Sequence, residues 1–220
     1  MSTSSIAEQV DEFNVGFEAQ IGPRLSAVFS GEQNDLRAAG LPADVVSVGD
    51  EIPDAAVLTP EGASTTFHEV LGGTTSVVVF YRGAWCPYCN ITLRTYQEKL
   101  VPALQERGAQ LVAVSPQTPE GSAQAVENGS LDFAVVSDPA NALASSLAIV
   151  TEPSAEARSA HTELGFDVAD SNADDTAAIP FPTVLVVDEQ GVVRFVDIKV
   201  DYTTRTEPEE ILGAVDALAV

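Results

Sequence analysis

Residues 80–96 read FYRGAWCPYCNITLRTY and overlap an apolar, β-branched run over residues 76–81. Such a run predicts a buried strand. Beyond a Gly-Ala turn, apolar residues recur at helical spacing, so a helix is expected to follow the strand. Cys86 is expected at the N-cap of this helix. Pro87 is expected at its first position, where the missing N–H costs nothing, and Cys89 lies three residues after Cys86.

Cys86 and Cys89 are the only two cysteines of the chain, and their spacing indicates a redox-active dithiol. Unpaired N–H groups and the helix dipole stabilise an anion at a helix N-terminus, and the thiolate is the reactive form of cysteine. A CxxC pair also closes a very small disulfide ring. The alternatives are purely structural cysteines and a zinc site, which needs a second ligand pair. His68 and His161 lie far apart in the sequence.

Several other residues are expected to support the dithiol. Trp85 could shield the site from water or simply pack on the sheet. Arg82 and Arg94 are close enough in sequence to favour a thiolate, although each could equally be a surface charge. Pro182 and Thr183 open a late strand. The peptide bond before Pro182 could be cis, and an ordinary trans proline at a strand edge is the alternative.

The composition limits the classes of protein to which this chain can belong. The chain has 220 residues, of which 45% are hydrophobic, and this predicts one packed domain with extensions. A net charge of −23 repels nucleic acid and anionic membranes, so neither is expected as a partner. No apolar run approaches a membrane span, and the N-terminus lacks the features of a signal peptide. A lone CxxC fits a reducing compartment, so we expect a cytoplasmic protein.

The first 44 residues are predicted to form a helical extension. Apolar spacing predicts one helix over residues 6–21 and a second over residues 24–39, with a break at Gly22–Pro23. This hairpin could pack onto the main domain or build a contact between two copies of the chain.

Residues 45–220 are predicted to form the main domain. Strands and helices alternate here, which predicts a mostly parallel sheet with helices on both faces. The acidic stretch 151–178 interrupts the pattern and is interpreted as a partly helical insertion that ends in an exposed loop.

The motifs resemble those of the thioredoxin superfamily. WCPYC follows a buried strand, and Pro182-Thr183 opens a later one. The segments VGDEIPD (48–54), SPQTPE (115–120) and SDP (137–139) resemble the peroxiredoxin (alkyl hydroperoxide reductase/thiol-specific antioxidant) branch. The resemblance implies a thioredoxin-like α/β fold, with a central mixed sheet flanked by helices, and a cis bond before Pro182 that faces the dithiol.

The chain departs from the usual peroxiredoxin pattern at the site itself. Members of the family carry Pro, then Thr, then the peroxidatic Cys. In this chain Arg82, Cys86 and Cys89 stand at those three positions. The arginine that the family places before the late strand aligns with Pro182, which leaves Arg82 or Arg94 to polarise the peroxide bond.

The resemblance implies a thioredoxin-dependent thiol peroxidase. It would reduce hydroperoxides through a Cys86–Cys89 disulfide cycle, be reset by a thioredoxin-type reductant, and need no metal or bound cofactor. The main alternative is a thioredoxin-like protein thiol-disulfide oxidoreductase. A redox-sensing or chaperone-like binding protein is a third hypothesis, and a homodimer is a further expectation.

Either cysteine could attack the substrate, with the other cysteine as the resolving thiol. Helix geometry favours Cys86 as the attacking thiol with a lowered pKa, because Cys89 lies about one turn inside the helix. Family alignment favours Cys89. We predict on the helix geometry that Cys86 attacks and that Cys89 resolves.

Overall fold

A mixed seven-stranded sheet forms the centre of the structure, a computed structural model that describes residues 4–219. The strands of the chain are β1 (Ala56–Leu58), β2 (Ser64–Thr66), β3 (Ser76–Phe80), β4 (Gln110–Ser115), β5 (Ala134–Ser137), β6 (Val150–Thr151), β7 (Ile179–Pro180), β8 (Thr183–Val187) and β9 (Val193–Ile198). The central sheet has the order β2-β1-β5-β4-β3-β8-β9, and β6 pairs with β7 separately.

Helices cover both faces of the sheet. They are α1 (Ile6–Ala39), α2 (Phe67–Leu71), α3 (Pro87–Thr95), α4 (Val101–Glu106), α5 (Pro119–Gly129), α6 (Ala142–Ser146), α7 (Ala155–Glu163), α8 (Val168–Ser171) and α9 (Pro208–Asp216). A π-helical turn at Tyr96–Leu100 joins α3 to α4, and short 3-10 turns lie at Pro139–Asn141 and Ala217–Ala219. Within residues 4–219, every helix is too short or too polar to span a bilayer.

The sheet is mixed, as the family resemblance implies. Only the β3–β4 and β4–β5 pairings are parallel, and the other four pairings of the central sheet are antiparallel. The prediction of a mostly parallel sheet is therefore wrong. The reason is that tight hairpins, β1–β2 and β8–β9, supply both edges, and hairpin strands are necessarily antiparallel.

Strand β3 divides the core into two halves. Its side chains alternate, so Val77 and Val79 enter one apolar cluster while Val78 and Phe80 enter the other. All five residues of β3 are buried, as expected for a strand covered on both faces. The two cysteines belong to the cluster of Val77 and Val79, so the dithiol lies at the edge of a packed core.

Helix α1 consists of two arms. Gly22 has a φ of 75°, a left-handed conformation that glycine adopts without steric cost, and Pro23 cannot donate a hydrogen bond to the preceding turn. A capping box between Ser5 and Glu8 begins the first arm. The predicted break at Gly22–Pro23 is confirmed.

Both arms of α1 pack onto the main domain, which is one of the two arrangements that the sequence allows. The main-chain N–H groups of Ile6 and Ala7 donate to the Glu207 carboxylate, both at 3.0 Å. The second arm is tied by Arg37, which forms an ion pair with Asp201 at 2.6 Å. The Tyr88 hydroxyl donates to the Asn14 side chain at 2.8 Å, so the extension also lies against the start of α3. The homodimer stays a prediction.

The acidic insertion is partly helical, as predicted, since it contains α7 and α8. Its end is not an exposed loop throughout, however. Asn172 is only 2% exposed, and its side-chain amide donates to the carbonyls of Thr176 and Ala178 at 2.7 and 2.8 Å. These two bonds fold the polar tract onto itself, and the Ala173 N–H, which donates to the Pro116 carbonyl at 2.9 Å, ties the tract to the domain.

Candidate active site

The two cysteines lie where the sequence places them. Cys86 is the N-cap of α3 and Pro87 is its first residue, as predicted. Cys86 and Cys89 are each 1% exposed, and neither is in a disulfide. Both thiols are therefore held away from bulk water, which makes their immediate neighbours decisive for their reactivity.

The turn that presents the dithiol requires glycine. Gly83 has a φ of 148°, and a Cβ atom there would lie 2.5 Å from the Trp85 side chain and 2.9 Å from that of Gln117. The Gln117 side chain accepts a hydrogen bond from the Ala84 N–H at 2.7 Å. The turn is thus fixed both by close packing and by a buried polar contact.

Arg205 is the cationic side chain that contacts a cysteine. Its guanidinium Nη2 lies 3.5 Å from the Sγ of Cys89. The other guanidinium nitrogen, Nη1, donates to the carbonyls of Tyr202 and Thr204, so the side chain is anchored in the loop between β9 and α9. Arg205 is not among the predicted site residues, because its only signal in the sequence is its place in a loop before the closing helix.

The two thiols have opposite electrostatic environments. Burial raises the pKa of both, but for Cys89 it is outweighed by hydrogen bonds from the Cys86 thiol and the Arg82 main chain, and by the charges of Arg205 and Arg82. The pKa of Cys89 is therefore well below its usual value. Burial and the neighbouring Cys89 thiolate raise the pKa of Cys86. The prediction of a lowered pKa at Cys86 is wrong in this structure.

A titration of each thiol alone checks this order. In the Cys86→Ser protein, where the serine hydroxyl can still donate, Cys89 should form its thiolate below the free-thiol pKa of about 8.5. In the Cys89→Ser protein, Cys86 should titrate above that value because burial still penalises its charge. Thiolate ultraviolet absorbance against pH measures both. The reverse order would overturn the assignment.

The two arginines predicted near the site, Arg82 and Arg94, lie in different environments. Arg82 is 5% exposed, and its guanidinium carbon lies 4.2 Å from the Tyr202 ring centroid and 5.0 Å from that of Trp85. Arg94 is exposed. It follows Cys89 by five residues, about 140° around a helix of 3.6 residues per turn. The structure brings Arg82 to the dithiol and leaves Arg94 on the surface.

Pro182 and Thr183 lie beside Cys89. Together with Arg205 and Thr206 they line a cavity of about 10 Å³ next to its sulfur. Their position near the dithiol is as expected, but the cis peptide is wrong, because no peptide bond is cis among the described residues. The chain runs extended from β7 into β8, and a trans bond before proline fits such a path at lower energy.

A cluster of aromatic rings, which we call the aromatic cluster, lies beside Cys86 and consists of Trp85, Phe166, His161 and Phe29. Trp85 stacks on Phe166 of the insertion, with 5.3 Å between ring centroids, and lies 5.7 Å from the ring of His161 on α7. His161 in turn stacks on Phe29 of α1 at 5.3 Å. Trp85 therefore packs with the extension and the insertion beside Cys86, and its role as a shield against water stays a prediction.

His161, a member of the aromatic cluster, should make the stability of the protein depend on pH. Burial, and then the charge of Arg82, lower its pKa to about 4, while Asp167 acts in the opposite direction. Between pH 6.5 and 4, His161 binds more protons in the unfolded chain than in the folded one. The contribution of His161 to the free energy of unfolding is therefore complete above pH 6.5, and it is lost as the pH falls toward 4, by up to about 3 kcal/mol. In His161→Phe this loss should disappear.

Urea unfolding at pH 7 and at pH 4.5, on wild type and His161→Phe, measures the difference. The raised pKa values of Glu32 and Asp138 affect both proteins alike and cancel in the comparison. An equal loss of stability in the two proteins would contradict the role assigned to His161.

The fold and the site define a class. A mixed sheet whose central strand leads, through a tight turn, into a helix that begins with two thiols is the arrangement of the thioredoxin superfamily. The chain belongs to the AhpC/TSA family, whose model matches residues 48–196. It is accordingly an oxidoreductase of the peroxiredoxin type, a thiol-dependent peroxidase, as the sequence motifs predicted.

Solved structures share this fold at low sequence identity. The chain is similar to the peroxidoxin BcpB of Mycobacterium tuberculosis, with 18% identity, a TM-score of 0.59, and coverage of 79% of this chain and 98% of that one. The values for a peroxiredoxin-like protein from Aquifex aeolicus are 17%, 0.61, 79% and 88%. For reduced Prx3 from Vibrio vulnificus in complex with H2O2 they are 16%, 0.63, 78% and 99%. A comparison with curated proteins gives no match.

Proposed function

We propose that Cys89 is the thiol that attacks hydroperoxides and that Cys86 resolves the product. One observation carries this proposal: the Arg205 guanidinium lies 3.5 Å from the Cys89 sulfur. A cation at that distance favours the thiolate, which is the nucleophilic form. In this proposal the same cation also stabilises the negative charge that develops on the leaving oxygen, the role that the family's usual arginine would otherwise serve.

The proposed cycle has three steps. The Cys89 thiolate attacks one peroxide oxygen, forming an S–O bond as the O–O bond breaks, and the departing hydroxide or alkoxide takes up a proton from water. The Cys86 thiol then attacks the sulfur of the sulfenic acid, which forms the disulfide and releases water. A thiol reductant finally supplies two electrons and two protons to regenerate both thiols.

The space beside Cys89 supports a small peroxide as the preferred substrate. The cavity lined by Pro182, Thr183 and Arg205 measures about 10 Å³. A single water needs roughly 10–15 Å³. Hydrogen peroxide is little larger than water and needs only a small displacement of the lining side chains, whereas an alkyl hydroperoxide needs a larger one before its oxygen reaches the sulfur.

The rival function, reduction of protein disulfides, is supported less well. Such a substrate must bring its own sulfur within bonding distance of a cysteine of the enzyme. Both cysteines are 1% exposed, and Cys86 is covered by aromatic side chains that include residues of α1 and α7.

The thioredoxin-type reductant stays a prediction of the family resemblance, and the cytoplasmic location stays a prediction of the cysteine usage.

One pair of assays tests the proposed function. Hydrogen peroxide consumption with a thiol recycling system should be fast, and insulin reduction by the same preparation should be slow. Cumene hydroperoxide should react more slowly than hydrogen peroxide, because of its bulk. Insulin reduction without peroxide consumption would transfer the function to the rival class.

A further inference from the structure

A cavity of about 340 Å³ lies between α1, α7 and the start of α3, and we call it the Cys86 cavity because the Cys86 side chain lines it. Cavities of roughly 300–1,000 Å³ are typical of small-molecule sites. The peroxide cycle proposed above places no peroxide in this space. Most of the wall is aromatic, with rings that include Phe13, Phe17, Phe29, Trp85, Tyr88 and Tyr202.

Helix α1 makes this cavity a feature of the present chain. It supplies Phe13, Phe17 and Phe29, and it lies outside residues 48–196, which the family model matches. The exposed side chains of Gln20 and Leu164 mark the mouth of the cavity, and Leu164 is 36% exposed. A small molecule therefore has a route from solvent to the Cys86 side of the dithiol.

Arg82 is the charged residue of the Cys86 cavity. Within the described part of the chain, no aspartate or glutamate lines it, although the chain has 33 acidic residues against 10 basic ones. Burial, and then the charge of Arg82, lower the pKa of His161 to about 4, so this second basic side chain is neutral near pH 7. The wall therefore presents one positive charge on an otherwise uncharged and largely apolar surface.

The guanidinium of Arg82 has N–H groups to offer a ligand. The residue is only 5% exposed, yet it is in none of the ion pairs formed among residues 4–219 and donates no side-chain hydrogen bond there. Its nitrogens are not among the unpartnered atoms that are closed to solvent. Its close contacts are the rings of Tyr202 and Trp85, at 4.2 and 5.0 Å, and such contacts use the face of a guanidinium rather than its N–H groups.

The anionic groups of the protein itself act on Arg82 only at longer range. Glu32 shares a second cavity with Arg82, but its carboxylate accepts a hydrogen bond from the Ser154 N–H at 3.0 Å. The Cys89 sulfur has Arg205 as its contacting cation at 3.5 Å. The cavity shared with Glu32 measures about 10 Å³, which is room for roughly one water. A larger anion can therefore meet the guanidinium only from the Cys86 cavity.

We propose that the Cys86 cavity binds an apolar monocarboxylate, whose carboxylate pairs with Arg82 and whose apolar body packs among the aromatic rings. A carboxylate matches the planar guanidinium, which can donate two parallel hydrogen bonds to it. One cation neutralises one negative charge, so the cavity selects a monoanion. This inference is separate from the proposed function, because it does not depend on which cysteine attacks the peroxide.

Charge alone is not enough for binding to this chain. The net charge of −23 repels any anion on approach, so a carboxylate without an apolar body should bind poorly. Burial of an apolar body is favourable in proportion to the area removed from water. The ligand therefore needs both parts: a single negative charge for Arg82 and an aromatic or alkyl body for the rings.

A bound carboxylate of this kind would cover one cysteine and leave the other free. Cys86 lines the Cys86 cavity, whereas Cys89 lines the separate cavity of about 10 Å³ beside Arg205. The body of the ligand would thus lie against the Cys86 side chain and exclude other reagents from it. Protection of Cys86 from alkylation is the chemical signature of an occupied site.

Trp85 reports on binding, because it is the only tryptophan of the chain and lines the cavity. Reduced full-length protein is titrated with three probes: 3-phenylpropanoate, its neutral amide 3-phenylpropanamide, and acetate, which has the charge without the apolar body. Trp85 emission should change saturably with 3-phenylpropanoate. The Kd for 3-phenylpropanamide should be about tenfold higher or more. Acetate should cause no change at the same concentrations.

Variants then locate the carboxylate. Arg82→Met should raise the Kd for 3-phenylpropanoate by about 10- to 100-fold, the loss of charge-assisted hydrogen bonds, and should leave the affinity for the amide unchanged. Arg82→Lys keeps the charge and should restore part of the affinity. Should Arg82→Met fail to fold, the exposed Gln20 at the mouth provides a second pair of variants.

The Gln20 variants change the charge at the mouth without touching the core. Gln20→Glu should weaken the binding of 3-phenylpropanoate by about twofold or more, and Gln20→Lys should strengthen it by a similar factor. Neither should change the affinity for the amide. Gln105→Glu adds the same negative charge at an exposed position of α4, outside the cavity lining, and is the matched control.

Alkylation shows where the ligand lies. In the Cys89→Ser protein at alkaline pH, 3-phenylpropanoate should slow the alkylation of Cys86 by iodoacetamide, with a concentration dependence that follows the Kd. Three results would overturn the proposal: no saturable change in Trp85 emission, equal affinity for the acid and the amide, or saturable binding that leaves the alkylation of Cys86 unchanged. Equal affinity in wild type, Arg82→Met and Gln20→Glu would overturn it as well. None of these measurements uses peroxide, so failure of the peroxidase assay would contradict the proposed function and leave this site standing.

Discussion

Replacing Cys89 with serine should lower the rate of reaction with hydrogen peroxide by about 10⁴-fold or more, the usual cost of removing a catalytic nucleophile. Serine has no low-pKa state beside Arg205, so the attacking group is lost. Cys86→Ser should react with its first equivalent of peroxide at nearly the wild-type rate, because the Cys89 thiolate and its contact at 3.5 Å remain. It should then fail to form the disulfide.

Stopped-flow measurement of peroxide consumption distinguishes the two variants. We expect one equivalent to be consumed rapidly by Cys86→Ser and none by Cys89→Ser. Thermal unfolding of both proteins controls for misfolding, since each substitution is in a packed cluster. A rapid first equivalent in Cys89→Ser, with none in Cys86→Ser, would restore the assignment that the sequence alone suggested.

Replacing Arg205 with methionine should have the second-largest effect. Methionine keeps much of the length of the side chain but removes the charge, so the pKa of Cys89 should rise and the developing charge on the leaving oxygen should lose its cation. Loss of one such stabilising group costs about 10²–10³-fold in rate. The second-order rate constant with hydrogen peroxide, measured at neutral pH, should fall by that factor.

The pH dependence separates the two contributions of Arg205. Raising the pH forms the thiolate without help, so part of the lost rate should return, and the part that does not return measures polarisation of the O–O bond. Arg94→Met is the matched control, because it removes the same charge from an exposed position on α3, the helix that begins with the dithiol. Equal rates in the two variants would show that Arg205 does not serve the reaction.

The strand, the turn and the start of the site helix could be predicted from the sequence because each has a local cause. A continuous apolar, β-branched run marks β3, and Pro87 fits only the first turn of a helix. Arg205 could not be predicted in this way. It lies 116 residues from Cys89 and reaches it only through the loop that follows β9.

The error at Cys86 has a similar physical origin. A helix N-terminus contributes about 0.3–1 kcal/mol to a nearby anion, which is less than one pKa unit. Full burial can shift a pKa by 3–5 units. The sequence shows that Cys86 begins a helix, but not that α1 and the insertion leave it 1% exposed. Burial decides the outcome, and burial depends on tertiary packing.

The extension illustrates the same limit. Its apolar spacing correctly predicts two helical arms and the break at Gly22. An amphipathic pattern shows that a face will be covered but not what will cover it. Only the folded chain places Phe17 and Phe29 beside Cys86, where the three residues line one cavity.

The central claim is that Cys89 receives the peroxide oxygen, and trapping of the sulfenic acid tests it most directly. Cys86→Ser and Cys89→Ser are each treated with one equivalent of hydrogen peroxide in the presence of dimedone, and the adduct is located by peptide mass spectrometry. We predict dimedone on Cys89 in the Cys86→Ser protein and none on Cys86 in the Cys89→Ser protein. Dimedone on Cys86 alone would contradict the account.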